Sequence, residues 1–538
     1  MARCLAGLLL VSLATAAAQQ SAPAQASGNA ASDAQIALHT IQQDAAVGEA
    51  LQALAKDTPT DYTAFRNINL VDPVAGQIVP DQTVIVWGDQ IAWVGDAAKE
   101  PERLKKAPDL ASKGLYLAPG LADMHVHLSR AGSWLLELDN GITMVREMAG
   151  FPWMIRARSS VDAGTMLAPK MAVAGPLLTY YPLEGYAVLV QDPLSGRHAV
   201  RQEAACGYDF IKVWNIVPQP VFDAIAEQSR IEGMDLVGHV PHDISVAHAV
   251  QSGMRTMEHL KGFINDATLQ RGETDYAAAV GDNIWNTPTL YEGRPAPRGE
   301  EGRAILKSNE MKYVPLRRRD RWAQGLDKPE DHGQKLRDGI GPMGKDIVKE
   351  LHALHAHFLA GTDSDENPFQ VAGFALLDEL KLLQDAGLSP AEAIRAATTE
   401  AARALREPDE FGQIQKKMRA DLILLESNPL QDLSAFRHNR GVMAHGVWLS
   451  RDKLDAALAK LAQVYGEPDR DVAVSETDFH AAADRVESLQ KTGFVIAGPE
   501  LADLADQARS LKFPAEAERF DRLANIPKHG PCAELRPQ

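Results

Sequence analysis

The chain has 538 residues, of which 45% are hydrophobic and 24% charged, and a net charge of −17 at neutral pH. This is enough for one large α/β domain with accessories, or for two to three domains, and the composition is that of a soluble globular protein. The acidic balance argues against nucleic acid and anionic membrane surfaces as partners, and beyond the N-terminus no run approaches the roughly 20 apolar residues of a membrane span. At the N-terminus a short basic start, Met1-Ala2-Arg3, precedes an almost wholly apolar stretch from Cys4 to Ala17, and Ala16-Ala17-Ala18 offers a cleavage site. The pattern predicts a secretory signal peptide over residues 1–18, cleaved near Ala18, and hence a periplasmic or secreted protein. Cys4 lies inside the apolar stretch rather than just after it, so no lipid anchor is expected. Cleavage leaves Cys206 and Cys532, as one disulfide in an oxidising compartment or as two free thiols.

Residues 19–60, rich in Ala, Gln and Ser, read as a linker followed by a helix from Ala34 to Lys56. From Tyr62 the texture changes to short alternating runs, among them Gln82-Thr83-Val84-Ile85-Val86-Trp87, separated by Gly- and Asp-rich turns. A matching set follows far downstream, at Asp421 to Leu425 and Gly441 to Leu449. Two β-rich pieces around a long middle predict a small β-sandwich domain built from residues 61–117 and 410–450.

Between them, over 118–409, apolar strands alternate with helical stretches, the signature of βα units and a parallel sheet. Strand candidates are the run ending at His125, then 143–146, 171–174, 210–214, 235–239, 255–259, 286–290 and 357–363. Eight strands in about 250 residues fit a (β/α)8 TIM barrel. Ser389-Pro390-Ala391-Glu392 carries a helix N-cap, a first-turn Pro and a capping-box Glu, and Gly387 ends the helix before it. Residues 291–350, with Arg317-Arg318-Arg319, form a polar insert, either a solvated helical excursion or a lid over the barrel mouth. Residues 451–538 read as a helical C-terminal extension with apolar stripes at Leu454, Leu458 and Leu461 and at Phe479, Ala482, Ala483 and Val486.

His125 and His127 stand one residue apart in Ala118-Pro119-Gly120-Leu121-Ala122-Asp123-Met124-His125-Val126-His127. Side chains on a strand repeat with period two, so both imidazoles face one side. Many such pairs are merely solvated, and the case for a metal rests on the other polar residues at strand ends: Lys212, His239, His259 and Asp363. In a barrel those ends converge on one mouth. Four imidazoles and a carboxylate suit zinc or a similar divalent ion. A lysine at a strand end commonly snorkels to water. Inside this cluster Lys212 makes sense as a neutral amine that has reacted with carbon dioxide, its carbamate bridging two metals.

The chain resembles the amidohydrolase superfamily, in the branch of imidazolonepropionase-like proteins and metallo-dipeptidases. The resemblance is carried by Gly120 to His127, Gly141-Ile142-Thr143-Met144-Val145-Arg146-Glu147-Met148, Asp209 to Val213, Gly238-His239-Val240-Pro241, Met257-Glu258-His259-Leu260, Ala360-Gly361-Thr362-Asp363-Ser364 and Arg419 to Leu424. It covers residues 62 to 450 and leaves out the linker, the insert and the tail. It implies His125, His127 and Asp363 on a more buried metal, His239 and His259 on a more exposed one, and carboxylated Lys212 between two zinc ions. It further implies a bridging hydroxide as nucleophile, with Asp363 as the catalytic proton shuttle. The expected reaction is hydrolysis of a C–N bond in a small substrate such as a dipeptide, an N-acyl amino acid or a cyclic amide. The alternatives are a mononuclear imidazolonepropionase- or deaminase-like enzyme, a lactone or ester hydrolase, and, last, a non-catalytic binding protein on the same barrel. Candidate substrate-binding residues are Tyr181, Trp214, His242 and Tyr291; Arg146 is expected to orient ligands or pair with a carboxylate. His352, His355 and His357 read as a helix-face cluster. Oligomeric state is not legible, and a homo-oligomer stays open.

Overall fold

The computed structural model describes residues 30–56, 61–183, 187–265, 270–272, 276–295, 297–328, 332–364, 368–468, 474–524 and 532. The expected signal peptide, and Asp365 and Asn367 beside the expected shuttle, lie outside them. No described helix is long and apolar enough to cross a membrane.

All eight parallel strands expected from the alternation are present: Leu121–Val126, Ile142–Glu147, Lys170–Val173, Phe210–Val213, Asp235–Gly238, Met254–Glu258, Trp285–Thr287 and His357–Phe358. The first three form one parallel ladder and the other five a second. The second is extended at one edge by Leu177–Thr179 and Ala187–Leu189, which alternation did not single out. Isolated parallel bridges join the ladders at Ala174 with Phe210 and at Val126 with Ser364. Half of these strands are buried along their whole length, and the others are exposed in part at a single residue, as expected where helices cover a parallel sheet. Inside them, Met124, Met144, Phe210, Val237, Trp285 and Leu359 fill a compact apolar layer.

The strands flanking this unit share one sheet, in the order Val447–Ser450, Asn439–Ala444, Leu422–Leu425, Tyr116–Pro119, Thr63–Asp72, Gln77–Trp87, Gln90–Asp96. Every pairing in it is antiparallel except Thr63–Asp72 with Tyr116–Pro119. The sandwich expected from 61–117 and 410–450 is, in its hydrogen bonding, one curled sheet. Its edge returns on itself through Ile91 N–H to the Met418 carbonyl and Lys417 N–H to the Ile91 carbonyl, both 2.8 Å, around Phe65, Ile68, Leu117 and Leu422. The strand Tyr116–Pro119 straddles the expected boundary at 117, so the parallel unit starts at Leu121.

The two ends of the chain meet. Residues 30–55 form a 26-residue helix, longer than the expected linker-and-helix reading, and its apolar face (Ala34, Leu38, Ile41, Ala45, Leu51) is buried. It packs on the C-terminal helices Arg451–Tyr465, Glu476–Lys491 and Gly498–Ser510 and on Ala131–Asp139 of the central unit. At Gly48 a Cβ would stand 2.6 Å from the Phe494 ring, so only glycine admits this approach. Gln43 Nε2 donates to the Val464 carbonyl at 3.1 Å, and Arg130 pairs with buried Asp44 at 2.9 Å. Cys206 and Cys532 are joined as a disulfide, which ties the last turn of helix Pro193–Cys206 to the chain's end.

Three residues before Cys206, the Glu203 carboxyl is fully buried, and neither oxygen has a hydrogen-bond partner among the described residues. Burial raises its pKa well above the model-compound 4.5. A carboxyl whose folded pKa is raised contributes stability that is complete below the unfolded value and is lost as pH rises toward the folded one. Glu203→Gln is therefore expected to raise the melting temperature over wild type at pH 8–9, with the gap closing as pH falls to about 4.5. Melting curves that stay parallel across that range would refute the assignment.

Candidate metal centre and active site

The six side chains expected to gather do so at the C-terminal ends of the parallel strands. His125 closes the strand Leu121–Val126 and His127 follows it; Lys212 lies in Phe210–Val213; His239 and His259 come directly after Asp235–Gly238 and Met254–Glu258. Asp363 stands five residues beyond His357–Phe358. Lys212 Nζ is 3.0 Å from His125 Nε2. Asp363 Oδ1 is 3.2 Å from His125 Nε2 and 3.1 Å from His127 Nε2. The ring of His259 lies 4.4 Å from that of His125 and 4.9 Å from that of His239. His125, His259 and Asp363 each present one ligand atom within 4.8 Å of the others.

Local backbone makes this crowding feasible. A Cβ on Gly361 would lie 2.8 Å from the His125 Cβ, so the run into Asp363 passes the first strand only because the residue is glycine. Gly238, at φ +119°, plays the same part between Lys212 and His239. His259, Leu260, Thr289 and Asp363 all take positive φ, between 46° and 60°. Non-glycine residues held there cost of the order of 1–3 kcal/mol each and concentrate at functional sites.

The electrostatics follow from burial. His125 and His239 are essentially inaccessible, and burial, with positive neighbours, holds them and His259 well below the usual imidazole value, so all three are neutral and carry a lone pair. Burial also pulls the Lys212 amine down to about 8. At Asp363 burial pushes upward, but the facing imidazoles outweigh it and hold the carboxylate well below its normal range, and His127, 3.1 Å away and itself raised by Asp363, is the ring that carries the matching charge. Both ring nitrogens of buried His239 lack any hydrogen-bond partner among the described residues. Unpaired buried polar atoms are expensive, and a site with four imidazoles, a carboxylate and an amine supplies the donors a divalent cation needs. The residues fit a metal.

A second ring of contacts fixes these ligands. His125 Nδ1 meets Glu258 Oε2 at 2.8 Å, while Arg146 Nη2 donates to Glu258 Oε1 at 2.9 Å and its Nε to the Met124 carbonyl at 2.6 Å. A carboxylate on Nδ1 leaves Nε2 free to face the cluster. His259 Nδ1 meets Thr289 Oγ1 at 2.7 Å. Glu147 accepts from the amides of Leu128 and Ala149, with one oxygen 3.6 Å from His127 Nδ1. Arg146 does pair with a carboxylate, as expected. The roles of Glu258, Glu147 and Thr289 were not read from the sequence, although Glu258 and Glu147 sit inside motifs that were.

Of the four expected substrate residues, Trp214 lies on the cluster, its ring 4.3 Å from that of His239. The other three contact residues outside the cluster. Tyr181 is 58% exposed and set edge-on to Tyr180; His242 is exposed and contacts Asn215 at 3.2 Å. Tyr291 is buried, its hydroxyl donating to the Phe369 carbonyl at 3.4 Å and Arg294 lying 3.6 Å over its ring. Its backbone amide donates to buried Glu379 at 2.7 Å. The expected helix-face cluster does not form: His352 lies in the helix His332–Ala353 and meets Glu392 at 3.1 Å, His355 follows the helix, and His357 opens the last parallel strand and meets Glu400 at 3.3 Å.

The profile of the amidohydrolase family matches residues 138–449, more than half of the sequence. The chain belongs to the amidohydrolase family. It is accordingly a hydrolase acting on C–N bonds, and the parallel βα unit is the family's TIM-barrel fold. The ochratoxinase of Aspergillus niger is 22% identical over 440 residues, covering 69% of this chain and 83% of that one. Among solved structures, a bottromycin amidohydrolase superposes with a TM-score of 0.66 at 25% identity, over 79% of this chain and 95% of that one. A putative prolidase from Bifidobacterium longum does so with a TM-score of 0.58 at 23% identity, over 75% and 99%.

If Glu258 holds the His125 tautomer, Glu258→Gln should weaken divalent-metal affinity about 10- to 100-fold in a competitive chelator titration. An unchanged affinity in a normally folded variant would remove that role.

Proposed function

We propose that this chain hydrolyses the amide bond of a small substrate, of the dipeptide or N-acyl amino acid kind, at a centre holding two zinc ions. The observation that carries this reading is the position of Lys212, buried at a strand end with its Nζ 3.0 Å from His125 Nε2. An ammonium has no use among metal ligands, whereas a carbamate on the same nitrogen offers two oxygens for two cations. On this reading His125, His127 and Asp363 would hold one ion and His239 and His259 the other, and Lys212, once carboxylated, would supply ligand oxygens to the centre. The two parallel ladders are taken as one closed eight-stranded barrel, supported by the bridges at Ala174 with Phe210 and Val126 with Ser364. Relatives named prolidase and bottromycin amidohydrolase support an amide rather than an ester.

When bound, the divalent ions would lower the pKa of water toward 7 and polarise the scissile carbonyl. The chain's own contribution is proton handling and exclusion of water. Asp363, kept ionised by the surrounding imidazoles, accepts a proton from the attacking water and passes it to the departing nitrogen. Trp214 covers His239 and presents an aromatic wall beside the reacting centre. Export to the periplasm or medium belongs to the same reading, supported by the apolar stretch from Cys4 to Ala17 and by the joined Cys206 and Cys532.

A screen of dipeptides and N-acyl amino acids against zinc-loaded protein tests the activity, and elemental analysis should return about two ions per chain. One ion would favour the mononuclear alternative. Asp363→Asn should lower kcat by at least about 100-fold while leaving the circular dichroism spectrum unchanged; substantial turnover in that variant would refute the shuttle.

A further inference from the structure

A cavity of about 620 Å³ opens onto His127. It lies between the loops after the first and last parallel strands, with Ser129 and Arg130 on one side and Gln370 to Ala372 on the other. Apart from Ser133 and Leu136, its remaining walls are supplied by segments the resemblance leaves out. His39 and Gln43 come from helix Ala30–Ala55, Tyr465 and Glu467 from the C-terminal extension, and Pro315 to Arg318 with Arg321 from the insert. Its size is that of a small-molecule site, and it leads to the reacting centre through His127, whose Nε2 is 3.1 Å from Asp363.

The insert wall is cationic. Helix Leu316–Gly325 points its N-terminus into the cavity. Arg318 and Arg319 already donate their amides to the Pro315 carbonyl, and those of Leu316 and Arg317 are the first-turn donors a helix leaves over. Arg317 and Arg321, one turn apart on the same face, both line the cavity, and neither forms an ion pair among the described residues. Other arginines near the mouth are committed: Arg130 to Asp44 and Arg146 to Glu258. The acids on the wall do not cancel the pair. Burial raises Glu500 to about 7, so it is only partly ionised at neutral pH, and neither it nor Glu467 makes an ion pair with Arg317 or Arg321 among the described residues. Asp320 shares the helix but makes no ion pair with either arginine. Trp322, packed 5.1 Å from Phe369 in the loop after Asp363, anchors this helix over the mouth.

We propose that Arg317 and Arg321, with the adjoining helix N-terminus, bind a free carboxylate on the substrate, so that the enzyme selects amides of amino acids whose carboxyl group is unblocked. This rests on the amide-hydrolase reading and narrows its substrate class. A guanidinium pairs bidentately with a carboxylate, whereas a carboxamide supplies neither the charge nor the second acceptor.

The test is titration calorimetry in the Asp363→Asn background, using N-acetyl alanine, leucine, proline and phenylalanine and the matching carboxamides. The acids are expected to bind at least about tenfold tighter than the carboxamides, and R317Q/R321Q to abolish that preference at an unchanged melting temperature. R317K/R321K should restore part of it. Equal affinity for acids and carboxamides, or a preference that survives R317Q/R321Q, overturns the carboxylate site whether or not the protein hydrolyses amides. A preference that the double variant abolishes, in a protein whose Asp363 form cleaves none of the acids, leaves the carboxylate site standing and overturns the amide-hydrolase reading instead.

Discussion

Four imidazoles, an amine and one carboxylate are buried together, and everything around them answers the cost of that arrangement. Burial, helped by positive neighbours, presses His125, His239 and His259 toward the neutral form and burial lowers the Lys212 amine, while Asp363 is held ionised against its own burial with His127 drawn upward beside it. Neutral nitrogens and one anion are the protonation states that metal ligation requires, so the pocket is prepared for cations before any arrive. The positive φ angles at His259, Thr289 and Asp363 show that the fold bears backbone strain to keep them converged.

That convergence is supported through the barrel interior rather than from its surface. Arg146, fully buried, spans from the Met124 carbonyl to Glu258 and Thr256, linking the first, second and sixth parallel strands with one guanidinium. Truncating either Arg146 or Glu258 would leave a buried charge uncompensated, so the pair acts as one unit. Glu147 does similar work by holding the loop at Leu128 while facing His127.

The parallel strands and their terminal ligands were legible because both signals are local: short apolar runs of period two, each ending in a residue of distinctive chemistry. Ser389 and Glu392 were legible for the same reason, and the capping box forms as their spacing implies. Glu258 was not, since its function needs Arg146, 112 positions away, to lie beneath it. Tyr291 was a candidate substrate residue, and the structure buries it with its amide donating to Glu379 on a distant helix. The curled sheet in place of facing layers came from the return of segment 417–420 to Gln90 and Ile91, a contact no periodicity encodes. The cavity at His127 was equally hidden, because its walls come from three segments hundreds of residues apart.

The helix Ala30–Ala55 bears on how this protein should be handled. Its buried face rests on the C-terminal helices, and its His39 and Gln43 look into the cavity. A shortened version spanning only residues 61–450, chosen for its family match, would strip one side of the mouth and bare the apolar helix Ala131–Asp139, on which both removed ends now pack. It would be prone to clump, and it would present a wider entrance than the native chain, so its substrate range would misreport the parent's.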